Sequence, residues 1–279
     1  MASASASASA NLPPPPLTPN PNPTIVIIHG AWHNPTHYSS LSNGLRSLSH
    51  NVLIPSLPSM NGTRPPTSDL HTDTAQIRRY IESLADAGHR LVILMHSYGG
   101  QVGTNALAGL DTRTRGASNL PGGVIRLVYM CAHALSEGMS MFGIAKAAGR
   151  EKALLDAFIV ADDGMVEYRE VRERMIGPPG DLSEEMVESY IARLRPWNGK
   201  GLYQEIQAAA WRDIPVSYLL TLQDRLMPVA YQNAMVARLR AEGVEVEVFE
   251  LETGHCPHAT TTGKVVEILH AVTNRETKK

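Results

Sequence analysis

A repeated alternation constrains this chain more than any other feature. Short, unbroken apolar runs recur, and most are followed by a stretch with helical spacing. Thr24-Ile25-Val26-Ile27-Ile28-His29 is the first and stops at Gly30. Asn51-Val52-Leu53-Ile54, ended by Pro55, is the second, and Leu91-Val92-Ile93-Leu94-Met95 is the third. Val124 to Met130, Val216 to Leu220 and Val244 to Leu251 complete the set. The last alternates Val with Glu, which suits a strand nearer a sheet edge. Runs that are apolar on both faces belong to a parallel sheet buried on both sides. Residues 36–48, 99–110, 230–242 and 261–272 are expected to be helical, as is a stretch from Asp73, a candidate cap, to about Ala87. Strand–helix alternation with short connections gives an α/β fold, a mostly parallel sheet flanked by helices.

The alternation breaks from about Glu137 to Arg212, where the chain reads as helices and turns, with a loop at Gly177-Pro178-Pro179-Gly180. The expected organisation is a core of residues 24–136 and 213–279, interrupted by a helical cap insertion at 137–212. Residues 1–23, MASASASASANLPPPPLTPNPNP, read as a disordered Ala/Ser/Pro-rich leader. That stretch lacks the apolar core of a signal peptide, and the first arginine is Arg46, so a cytoplasmic protein is expected.

Composition removes several function classes. The 279 residues hold 25 Lys+Arg and 27 Asp+Glu, a net charge of −2. Such a balance leaves no electrostatic footprint for nucleic acid or an anionic membrane. No run is long and apolar enough for a transmembrane helix. Two cysteines, Cys131 and Cys256, are too few for a disulfide scaffold or a zinc site built of four cysteines, and both read as buried thiols.

The chemistry gathers where the apolar runs end. Leu94-Met95-His96-Ser97-Tyr98-Gly99-Gly100 passes from a buried strand into a small-residue helix. That is the setting of a nucleophile elbow, a tight turn that presents a serine hydroxyl above the sheet. Gly99 fits the pattern; Met95 stands where a second glycine is usual. His29-Gly30-Ala31-Trp32-His33 follows the first strand. Backbone N–H groups of Ala31 and Tyr98 are the expected pair for a tetrahedral oxyanion. Asp224 and His255 each lie just after a later strand, where an acid can orient a base and the base can take the proton of Ser97. Trp32, His33 and Met141 are weaker candidates to line a substrate pocket, and His96 is placed to support the site by hydrogen bonding.

The motifs HGAWH at 29–33 and HSYGG at 96–100, with Asp224 and His255, resemble the α/β-hydrolase superfamily over roughly residues 24–275. The compact, cap-bearing branch that includes plant hydroxynitrile lyases, plant methyl-ester esterases and fungal relatives is most similar. Fungal members also resemble the stretch Ile54-Pro55-Ser56-Leu57-Pro58-Ser59. The resemblance implies an eight-stranded-type sheet shortened at its N-terminal edge, with no metal or organic cofactor. It also implies a serine hydrolase acting through an acyl-enzyme on a small or medium apolar ester, lactone or thioester, with a role in secondary metabolism. A lyase, C–C bond hydrolase or cyclase using the same triad is the alternative enzyme class. A non-catalytic small-molecule receptor is the non-enzymatic one. Cys256 occupies the place where hydroxynitrile lyases of this branch carry lysine, which disfavours cyanohydrin cleavage. A homodimer through cap or edge strand is a further expectation.

Overall fold

The computed structural model describes residues 22–277. The leader expected over residues 1–23 falls almost entirely outside them. The core runs β1 (Thr24–Ile28), α1 (Ser39–Ser47), β2 (Val52–Leu53), α2 (Leu70–Asp86), β3 (Arg90–His96), α3 (Tyr98–Ala106), α4 (Thr112–Ala117) and β4 (Gly123–Met130). An intervening segment carries α5 (Met141–Ala147), α6 (Glu151–Asp156), β5 (Phe158–Val160), β6 (Met165–Tyr168), α7 (Glu184–Ala192) and β7 (Trp197–Asn198). The core resumes with β8 (Val216–Thr221), α8 (Val229–Ala241), β9 (Val246–Leu251), α9 (Pro257–Thr260) and α10 (Thr262–Thr277).

The six core strands form one parallel sheet in the order β2-β1-β3-β4-β8-β9. Strand alternation divides each apolar run between two cores. In β1, Ile25 and Ile27 face α1 and α10, meeting Leu41, Leu45 and Leu269. Val26 and Ile28 face the other way, toward Ile77 and Ile81 of α2 and Val102 of α3. β9 is an edge strand, as its Val/Glu alternation implies. No helix among the described residues is long and apolar enough to cross a membrane.

Register places the chemistry. Ile28 pairs with Met95, His96 with Met130, and Thr221 with Leu251. The loops after β1, β3, β4, β8 and β9 therefore emerge along one edge, the carboxyl ends of the strands, where open α/β sheets bind ligands.

Two local expectations need correction. Asp69, not Asp73, caps α2 and accepts from the N–H groups of His71 and Thr72. The helix must begin early enough to bury Leu70, which puts Asp73 inside its first turn and out of solvent. The intervening segment is also not helical throughout. β5, β6 and β7 make a three-stranded antiparallel sheet. Strands of two to four residues show no readable periodicity, although Asp163-Gly164 between β5 and β6 is a hairpin-turn signal.

The β3–α3 turn is packed backbone against backbone. A Cβ on Gly99 would stand 2.3 Å from the carbonyl oxygen of Ile28 and 2.8 Å from that of His29. Neither can yield without moving β1. Gly99→Ala is expected to destabilise the protein by roughly 3 kcal/mol or more. Chemical denaturation checks this, and a near-native unfolding midpoint would count against such close packing.

Candidate active site

Ser97 sits in the turn between β3 and α3 with φ 53° and ψ −120°. A non-glycine residue at positive φ is strained, and such strain concentrates at functional turns. The small residues around it make that turn possible. Met95, in place of the usual glycine, is received by Gly103, where a Cβ would come within 2.4 Å of the methionine sulfur. The glycine missing from β3 is thus replaced by one in the facing wall of α3.

The structure brings together the three residues singled out for nucleophilic chemistry. The Ser97 hydroxyl lies 2.9 Å from Nε2 of His255, and Nδ1 of His255 lies 2.7 Å from Oδ2 of Asp224. All three are buried. Asp224 is itself fixed: its Oδ2 accepts from the Thr221 hydroxyl, and its Oδ1 accepts from the N–H groups of Leu226 and Met227.

The loop after β1 is held by histidines. The Leu57 N–H donates to Nε2 of His29, so the proton of that ring resides on Nδ1 and is given to the Gly30 carbonyl, 3.0 Å away. Carbonyl and N–H point in opposite directions across a trans peptide, so this bond also sets where the Ala31 N–H points. Tyr38 accepts from the Gly30 N–H and donates to Nδ1 of His96, whose other nitrogen donates to the His255 carbonyl at 2.8 Å. On the other side, Tyr98 donates its hydroxyl proton to Asp73, which also accepts from the Ser59 N–H and hydroxyl. Burial raises the Asp73 carboxyl to about 6, with these donors pulling against it. The Leu57–Ser59 stretch therefore supports both the loop after β1 and the residue after Ser97.

Ala31, Trp32, Ser97, Tyr98 and Met141 line one cavity, together with side chains from the intervening segment. Trp32 is both wall and tie: its indole N–H donates to the Val166 carbonyl on β6, and its own carbonyl accepts from the Arg195 N–H. His33 does not line the cavity. Its Nδ1 is bonded to the Ala31 carbonyl and its Nε2 to the Tyr190 hydroxyl, which leaves no nitrogen for a substrate. Cys131 and Cys256 are free and buried, and burial pushes the Cys256 thiol up to about 12, so it stays protonated.

Sequence reading missed several cavity residues. Phe158, Tyr168 and Trp197 come from the short strands and pack around Trp32, tilted or edge-on, at centroid distances of 5.4–5.7 Å. His133, three residues beyond β4, and Tyr231 on α8 line the same cavity. The position of His133 just past a strand end was the available signal.

This geometry can be set beside known proteins. The model of the alpha/beta hydrolase family matches residues 25–268. An alpha/beta hydrolase, nvfD, of Aspergillus novofumigatus is 26% identical over 88% of this chain and 94% of its own length. A probable hydrolase, R7, of a Phoma species is 28% identical over 88% of this chain and 96% of its own. Among solved structures, the pyrethroid hydrolase PytH superposes with a TM-score of 0.72, at 18% identity, covering 92% of this chain and all of that one. The family match begins in β1, ends in α10 and takes in the loops that carry Ser97, Asp224 and His255, so the chain belongs to the alpha/beta hydrolase family.

Proposed function

We propose that the protein is a serine hydrolase that cleaves a small or medium apolar ester, lactone or thioester through an acyl-enzyme on Ser97. The observation that carries this reading is the unbroken hydrogen-bonded line from the Ser97 hydroxyl through His255 to Asp224, set at the wall of an apolar cavity. His255 Nε2 takes the hydroxyl proton as Ser97 Oγ attacks the carbonyl carbon. The backbone N–H groups of Ala31 and Tyr98 receive the negative oxygen, the first held in direction by the bond of His29 to the Gly30 carbonyl and the second by the bonds that the Ser97 carbonyl accepts from the N–H groups of Gly100 and His133. Collapse expels the alcohol or thiol, which leaves with the proton from His255. Water then attacks the acyl carbon, giving its proton to His255, which passes it to Ser97 Oγ as the acyl–oxygen bond breaks and the acid is released.

The intervening segment acts as a cap in this reading, since Phe158, Tyr168 and Trp197 supply cavity wall from above the strand ends. Two relatives that bear the name hydrolase support the class of reaction. The test is intact mass after incubation with a fluorophosphonate. One adduct is expected on the wild type and none on Ser97→Ala. A folded wild type that takes no adduct would overturn the reading.

A further inference from the structure

His133 is a polar group that the triad does not use. It lies in the loop after β4, and its backbone N–H donates to the Ser97 carbonyl at 3.1 Å, so it is tied to the nucleophile turn. Its side chain lines the cavity that Ser97 lines, and the residue is only 8% exposed. Its Nδ1 is fully buried with no hydrogen-bond partner among the described residues, and Nε2, which also has none there, is the ring nitrogen left to face the cavity. Three further polar groups of the cavity wall are engaged, the Trp32 indole with Val166, the Tyr98 hydroxyl with Asp73 and the Ser97 hydroxyl with His255, while Arg150, Arg174, Arg225, Tyr168 and Tyr231 bring further polar atoms to the wall. A buried ring nitrogen without a partner costs stability, and a phenylalanine would fill the same space without that cost. An imidazole here makes physical sense when a ligand completes it.

The surroundings narrow the kind of ligand. In the sheet order, β3 lies between β1 and β4. The aromatic group around Trp32 therefore belongs to the β1 side of Ser97, and His133 to the β4 side. The Tyr231 ring stands edge-on to His133 at 6.4 Å. Burial and the nearby His255 lower the His133 ring to about 3, so it is uncharged at neutral pH. An uncharged imidazole pairs with a hydroxyl or a carbonyl; it offers no countercharge to a carboxylate.

We propose that His133 is the specificity-determining residue of the cavity and that the preferred substrates carry a hydroxyl or carbonyl group that hydrogen-bonds to it, on an otherwise aromatic or alicyclic body. This deepens the hydrolase reading and rests on it for the turnover part of the test. Plain hydrocarbon esters of the same size are then the poorer substrates.

The experiment compares para-nitrophenyl phenylpropanoate with its ortho-, meta- and para-hydroxylated ring counterparts on wild type, His133→Phe and His133→Gln. At least one hydroxylated ester is expected to exceed the plain ester about tenfold in kcat/KM, the worth of one well-made hydrogen bond. His133→Phe should erase that ratio by raising KM for the hydroxylated ester about tenfold more than for the plain ester. His133→Gln, which keeps a hydrogen-bonding group near the position of Nε2, should restore part of it. A merely structural histidine would move both esters together. Equal handling of all esters by the wild type, or a preference that survives His133→Phe, overturns the proposal. Failure of the hydrolase reading is told apart by calorimetry on the Ser97→Ala protein with the corresponding methyl esters. Tighter binding of a hydroxylated ester that is lost in Ser97→Ala/His133→Phe upholds the role of His133 even without turnover, and no such difference sinks it.

Discussion

Asp224→Asn is expected to lower kcat about ten-thousandfold while leaving the protein folded, the order seen when a triad acid becomes an amide. The contacts of Asp224 decide the outcome. Its Oδ1 accepts from two backbone N–H groups, those of Leu226 and Met227. An asparagine must keep its single carbonyl oxygen there, because turning its NH2 toward two donors would leave all of them unpaired. The amide NH2 then faces Nδ1 of His255, where Asp224 now accepts. To pair with a donor, His255 must carry its proton on Nε2 instead. That nitrogen is the one that has to receive the Ser97 proton. Ester turnover and a thermal melt, measured together, check the prediction. Retained activity would show that His255 is oriented by something other than Asp224.

Acid is expected to unfold the protein near pH 5. Burial holds the rings of His29, His33, His37, His96, His133 and His258 below their usual range, to about 4 for His29 and His37 and about 3 for His133. Neighbouring histidines push the same way for most of them. A group whose folded pKa is depressed binds fewer protons in the native state than in the unfolded one. Its contribution is thus intact above about pH 6.5 and is lost as pH falls toward the folded value. Each such ring removes about 1.4 kcal/mol per pH unit within its window. Six together remove ~8 kcal/mol per unit, against a typical whole-domain stability of about 5–15 kcal/mol. Asp73 works in the opposite direction. Its carboxyl is raised to about 6, so the native state gains stability as pH falls through that value. One carboxyl cannot offset six imidazoles. Circular dichroism against pH, with proton uptake followed by calorimetry, reads the transition. A native signal persisting to pH 4 without proton uptake would contradict it.

What could be read in the sequence was local. Most core strands are short, largely apolar runs and β9 is a Val/Glu alternation, so the six strands could be placed from residues a few positions apart. Ser97, Asp224 and His255 follow such strands directly, and the parallel sheet carries them to one edge. The illegible parts depend on distant partners. Nothing near Met95 in sequence says that Gly103 will make room for it. His33 looks like a pocket residue until Tyr190, 157 positions away, is seen to occupy its ring. The antiparallel sheet between β4 and β8 escaped because its strands of two to four residues span at most two periods of the alternation.

The two bonds that join Trp32 to Val166 and Arg195 carry a further consequence. They fasten the loop after β1 to the intervening segment on both sides of one residue. That segment is thus not a detachable lid that can be exchanged for another while the chemistry beneath stays as it was. Any change that tilts its small sheet pulls on the same peptide run that faces Ser97. Among relatives, divergence in this segment should therefore register as differences in turnover rate as well as in substrate choice, and a chimaera that transplants it should bring its own partner for Trp32.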